Sequence, residues 1–143
     1  MQPPFRLLSL MILAGVLSLT GCGSKHQSAS GQIVFGDGTP VKGLAGGTIA
    51  FQKAVGEGEL SATTPSPSGL IDANGKFTLG TDAVADGAPV GDYRAVISPP
   101  TPSGDEQIPK VIDAKHTRFN GNSPVYTVKK GANDFKVIVD PAK

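Results

Sequence analysis

The sequence predicts an all-β domain behind an N-terminal signal helix, and three observations carry that prediction. Nineteen Gly and twelve Pro in 143 residues leave little room for helices of ordinary length, because in a helix interior they cost about 1 and 3 kcal/mol per residue. From Gly31 onward, short runs of alternating apolar and polar residues recur between turn residues, the period-two signature of antiparallel strands with one buried face. Ahead of them Leu7 to Leu19 reads LLSLMILAGVLSL after the single charge of Arg6, which is the h-region of a secretory signal.

That block has thirteen residues, short of the roughly 20 a membrane-spanning helix needs. No comparable apolar stretch follows, so no permanent transmembrane helix is expected. The block ends in Leu19-Thr20-Gly21-Cys22, and Cys22 is the chain's single cysteine. One cysteine cannot close an internal disulfide, which leaves its sulfur nucleophile as the chemistry to explain. The tetrapeptide resembles the bacterial lipobox, in which a branched apolar residue and two small residues precede an invariant Cys. The resemblance implies that Leu19, Thr20 and Gly21 are read by the lipoprotein signal peptidase and that cleavage falls before Cys22. It further implies a diacylglyceryl thioether on the Cys22 sulfur and an additional acyl chain, such as palmitate, on the new amino terminus.

Each buried CH₂ adds about 0.8 kcal/mol, and two or three chains together hold where one does not. The expectation is therefore a protein anchored in the cell membrane or outer membrane, facing the periplasm or the cell exterior. Gly23 stands where an Asp marks inner-membrane retention in the Gram-negative sorting rule, which favours the outer membrane. The chain divides into a signal peptide, 1–21, a lipidated Cys and flexible tether, 22–30, and one domain, 31–143. The segment GSKHQSA is polar and spans at most about 25 Å fully extended.

Within the domain, strands are expected near 31–35, 48–53, 70–71, 76–79, 92–98, 124–129 and 134–140. Alternation puts Ile33, Phe35, Ile49, Phe51, Phe77, Leu79, Tyr93, Ala95, Ile97, Tyr126, Val128, Phe135, Val137 and Val139 on inward faces. Asn74-Gly75 and the segment from Lys130 to Asn133 read as hairpin turns. The Pro-rich stretches 63–68 and 98–104 suit loops or sheet edges, since Pro lacks the ladder donor. Residues 99–123 carry no strand pattern and exceed the usual loop range. A helical turn is expected near 108–115, and so long an excursion is a natural place for a binding surface.

Gly31-Gln32-Ile33-Val34-Phe35 with Asp37-Gly38-Thr39-Pro40-Val41, then Gly75-Lys76-Phe77, then Gly91-Asp92-Tyr93-Arg94, resembles the carboxypeptidase regulatory-like (transthyretin-like) β-sandwich. Combined with the lipobox, the chain is similar to small planctomycete lipoproteins that carry such a domain. The resemblance implies a seven-stranded Greek-key sandwich and carries over no catalytic residue. The stretch Gly43-Leu44-Ala45-Gly46-Gly47 departs from it, being longer than the usual turn between the first two strands.

Charge and motif content narrow the function classes. Lys plus Arg number 13 against 12 Asp plus Glu, and loss of Arg6 with the leader makes the balance even, so no nucleic-acid footprint is present. Two histidines, His26 and His116, cannot build a His-rich metal centre, and both are expected to be solvated. No Gly-x-Ser-x-Gly elbow or Walker loop occurs. Asp72-Ala73-Asn74-Gly75 resembles half a calcium loop without its closing glutamate, and a turn explains the same residues. Asp82, Asp86 and Asp92, and the Asp105-Glu106 pair, are expected to be solvated.

The expectation is thus no cofactor, no metal, no catalytic group and a non-enzymatic module. Its partners are membrane lipid, through acylated Cys22, and an envelope protein or glycan. Arg118, Phe119 and Asn120 are the candidate contact residues, Phe119 being the aromatic expected outside the core. The alternative expectation is a carbohydrate- or small-ligand-binding module with the same three residues on its rim.

Overall fold

The computed structural model describes residues 25–54, 66–104 and 110–143. The expected signal helix, Cys22 with the expected recognition residues Leu19, Thr20 and Gly21, and the Asp105-Glu106 pair lie outside them. No helix among the described residues is long and apolar enough to cross a membrane.

Among the described residues, seven strands follow in order: β1 (Ala29–Phe35), β2 (Thr48–Lys53), β3 (Ser68–Leu70), β4 (Lys76–Thr78), β5 (Gly91–Ser98), β6 (Val125–Val128) and β7 (Asn133–Val139). They form two sheets, ordered β4-β1-β7 and β3-β2-β5-β6, packed face to face as a β-sandwich. The expected all-β class is what the chain adopts. Alternation does the work locally: Ile49 and Phe51 of β2 turn inward while their neighbours do not, and Val137 and Val139 do the same in β7.

Phe51 is fully buried and joins the two sheets. Its ring lies 6.1 Å from Phe77 of β4 and 5.2 Å from Phe135 of β7. On its own sheet it lies 6.2 Å from Tyr93 and 5.5 Å from Tyr126, all in tilted contacts, the arrangement aromatic quadrupoles prefer. Gly31 permits this, because a Cβ there would come within 2.7 Å of the Phe77 ring and run into the Phe135 carbonyl. Of the expected inward residues, Phe35, Ala95, Tyr126 and Phe135 form a half-buried rim against the core. Val41, Leu44, Ile71 and Ile112 are buried as well, and all four belong to connections, where no period marks an inward face.

Two expectations about connectivity are corrected. β1 pairs with β7 in parallel, Ala29 opposite Asn133 through Phe35 opposite Val139. Nearly the whole domain separates these strands, so no tight turn forces them antiparallel. Of the two expected hairpins, the 129–132 turn instead passes the chain from β6 to β7 between sheets, whereas the 71–75 turn joins β3 to β4 in a partly formed hairpin, antiparallel at Ser68 with Gly80 and at Asp72 with Lys76. The turn chemistry is nonetheless local and complete. Asp72 Oδ1 accepts from the amides of Asn74 and Lys76, and Gly75 takes φ +73°. The Asn133 side chain clasps Lys129, Gly131 and Ser28.

These registers give the sandwich two distinct ends. The starts of β1, β5 and β7 and the ends of β2, β4 and β6 meet at one end, with the 79–90 loop and the 129–132 turn. At the other end lie the 36–47 and 71–75 connections and the departure of the 99–124 excursion from Ser98. That excursion returns to the sandwich where Ile112 bridges Pro141. Its helical element is a 3₁₀ turn at Ala114–Thr117, capped by Asp113 through the Lys115 amide at 3.0 Å. Of the 108–115 expectation, residues 108 and 109 lie outside the described residues, and the observed turn begins at Ala114.

Candidate functional site

The end where β1 begins is organised around Asp86. Its Oδ1 accepts from the Thr81 amide at 2.6 Å, and its Oδ2 accepts from the amides of Asp82 and Ala83 at 3.2 and 3.1 Å. The carboxyl is held below the usual carboxylate range, by the Thr81 amide above all, with Asp82, His26 and Ala83 adding to it against the opposing effect of burial. Thr81 Oγ1 donates to the Gly87 carbonyl, closing the loop from the other side. Ala85 is held at φ +60°, a left-handed conformation a non-glycine residue keeps only when its surroundings dictate it.

The segment before β1 docks on this loop. His26 Nδ1 donates to Asp86 Oδ2 at 3.0 Å, and His26 Nε2 lies 3.5 Å from Asp82 Oδ2. Gln27 and Ala88 exchange backbone hydrogen bonds of 2.7 and 2.9 Å. The Gln27 side chain accepts from the Gly131 amide at 2.8 Å. The tether expected to run flexibly through residue 30 is thus folded from His26 onward, and His26 is not solvated, its side chain being 10% exposed. The physical reason is that the 81–87 loop supplies carboxylates where the histidine passes.

One donor atom from each of His26, Asp82 and Asp86 lies within 4.8 Å of the others, a spacing compatible with a cation. Asp86, however, already accepts three loop amides and the imidazole. These hydrogen bonds account for the trio without an ion. Asp92, expected in the same cluster, stands instead on β5, where its Oδ1 accepts from Thr127 Oγ1 at 2.6 Å.

At the opposite end the excursion packs beside Asp140. Lys115 Nζ lies 2.5 Å from Asp140 Oδ2, and the Asp140 amide donates to His116 Nε2 at 3.0 Å. Lys115 foremost, then His116, holds the Asp140 carboxyl below its usual range. His116 is therefore not solvated either. Its partner is the residue closing β7, and no serine hydroxyl bonds to it among the described residues. A cleft of about 550 Å³ opens here between Leu44, Pro99, Pro100 and Val111, with Lys110 and Lys143 on its edge. A second groove opens between β3 and β4 past Leu70, Phe77 and Val84.

No protein-family model matches the chain, and no curated protein matches it. Among solved structures it is similar to a DUF3823 family protein from Parabacteroides merdae, at a TM-score of 0.46 and 16% identity over 82% of this chain and 47% of that one. The chain thus spans about half the length of that neighbour.

The three candidate contact residues follow directly on the 3₁₀ turn. Arg118 and Asn120 are exposed, whereas Phe119 is half-buried, a correction to its expected exposure. Asn120 spends its side-chain acceptor on the Asn122 amide and its carbonyl on Ser123, forming a local turn. None of the three lines the cleft. Asp72, whose neighbourhood resembled half a calcium loop, has its Oδ1 committed to the 72–76 turn. The interactions missed in sequence are those of His26 with Asp82 and Asp86. Their only local signal was a polar run, because the partners stand 56 and 60 positions downstream.

Proposed function

We propose that this chain is a lipid-anchored extracytoplasmic module: Cys22 carries the acyl chains, the sandwich sits against the membrane, and its far end makes protein contacts without any enzymatic step. The observation that carries the reading is the docking of the segment beginning at His26, four residues beyond Cys22, on one end of the sandwich. Four residues extend at most about 14 Å, so an acylated Cys22 would hold that end at the bilayer and point the 99–124 excursion away from it. Exposed Arg118 on the excursion is then a contact surface open to an envelope protein.

The finer family reading, a carboxypeptidase regulatory-like domain, is part of the proposal. It draws support from the residues that resemble the family, since Asp37-Gly38 and Gly75 fall in turns and Lys76-Phe77 and Gly91 to Arg94 fall in strands. Crosslinking in intact envelopes, followed by capture of the lipidated chain, tests the contact role. A reproducible partner crosslinked through position 118 supports it, and crosslinks confined to lipid contradict it.

One observation favours a second reading, a carbohydrate- or small-ligand-binding module. The far-end cleft has the volume of a small-molecule site. Glycan or metabolite binding abolished by Val111→Arg, which fills the cleft, would select this reading over protein contact.

A further inference from the structure

Val84 is 99% exposed, on a loop whose backbone is otherwise fixed by hydrogen bonds. The loop's two carboxylates are drawn to His26 and to the loop's own amides. The tip is left as Ala83-Val84-Ala85, three exposed residues without charge. Val84 lies two residues from both Asp82 and Asp86, which places its Cα within about 7 Å of each. His26, which touches both, is four residues from Cys22. Exposed Lys25 precedes His26, and exposed Lys129 and Lys130 sit in the turn whose Gly131 amide bonds Gln27. One uncharged apolar tip and four lysines, Lys25, Lys53, Lys129 and Lys130, therefore share the end of the sandwich closest to Cys22 with the exposed carboxylates of Asp82, Asp92 and Asp134.

We propose that this end is a membrane-docking face, on which Val84 enters the headgroup layer and Lys25, Lys129 and Lys130 meet anionic phospholipid. The occupant is set by chain length: acyl chains on Cys22 would keep the bilayer surface within about 14 Å of His26, and the headgroup region is itself several Å deep. Cations near such a surface are attracted within a Debye length of about 8–10 Å. The face fixes the domain's orientation, leaving the far end outward. The inference rests on the lipid-anchored reading of Cys22.

The test uses the full chain, purified in its lipidated form and reconstituted in vesicles of phosphatidylethanolamine and phosphatidylglycerol. The Cys22 sulfur is consumed by its thioether, so Val84→Cys and, at the far end, Thr101→Cys each provide one site for an environment-sensitive fluorophore. A blue shift at position 84 is expected, with quenching by shallow spin-labelled lipid several-fold stronger than at 101. The quenching at 84 should weaken in vesicles of phosphatidylcholine alone or with Lys129→Glu and Lys130→Glu. Equal, water-like emission at 84 and 101 in a chain whose mass shows the lipid overturns the docking face alone. A mature chain without lipid overturns the anchored reading together with it.

Discussion

His26 Nδ1 and Asp86 Oδ2 stand 3.0 Å apart although sixty positions separate them in the chain. The contact fastens the segment ahead of β1 to the 81–87 loop of the sandwich. Asp86 spends its other acceptor capacity on the amides of Thr81, Asp82 and Ala83. The loop's shape and the docking of the tether therefore depend on one ionised carboxylate.

That dependence has a pH signature. The Asp86 carboxyl titrates below its ordinary value of 3.8 in the folded chain, so its contribution is complete above that value and is lost as pH falls through the lowered one. Asp37, lowered by Thr39, and Asp140, lowered by Lys115 and His116, act in the same direction. Thermal melts should accordingly fall on acidification below pH 3.8. Asp86→Asn should flatten that dependence and lower stability at neutral pH. An unchanged acid limb in the variant would remove Asp86 from the account.

Gly87 tests the docking of the tether separately. At φ +95° it would be strained by any side chain, and a Cβ there would strike the Gln27 carbonyl. Gly38, at φ +84°, has no atom within 4 Å of the same position. Gly38→Ala should cost about 1–2 kcal/mol from backbone conformation alone, and Gly87→Ala more. Hydrogen exchange at the Gln27 and Ala88 amides should accelerate in Gly87→Ala beyond its change in Gly38→Ala.

Phe51 is the centre of the inter-sheet core, and Phe51→Ala should cost about 3–5 kcal/mol, a large share of the roughly 5–15 kcal/mol that holds a domain together. Tyr93→Phe keeps the ring and removes only the hydroxyl, which donates to the Pro89 carbonyl at 2.9 Å. Its cost should be about 1 kcal/mol. Denaturant unfolding of both variants measures the difference, and a Tyr93→Phe cost equal to that of Phe51→Ala would contradict this division of labour.

The strands were legible because each buries one face, and a period of two writes itself into residues such as Ile49 and Phe51 or Val137 and Val139. What could not be read was pairing. Asn74-Gly75 turns a partly formed hairpin and Lys130 to Asn133 a corner between sheets, and local turn chemistry does not tell the two apart. Likewise the parallel match of β1 with β7 joins opposite ends of the domain. Burial of Leu44 and Ile112 escaped for a related reason, since isolated apolar residues in connections have no periodicity to reveal them. At the candidate site, Arg118 was found exposed as expected. Phe119 was not, being half-buried in the long 99–124 excursion, where no period marks an inward face.

The central claim, that Cys22 anchors this sandwich in a membrane, is tested most directly by intact mass and fragmentation of the mature protein from an exporting host. The account predicts an amino terminus at Cys22 with a diacylglyceryl thioether, and an unlipidated, uncleaved precursor that keeps residues 1–21 when Cys22 is changed to Ser. An unmodified chain released in water-soluble form, or one cleaved elsewhere than before Cys22, would contradict it.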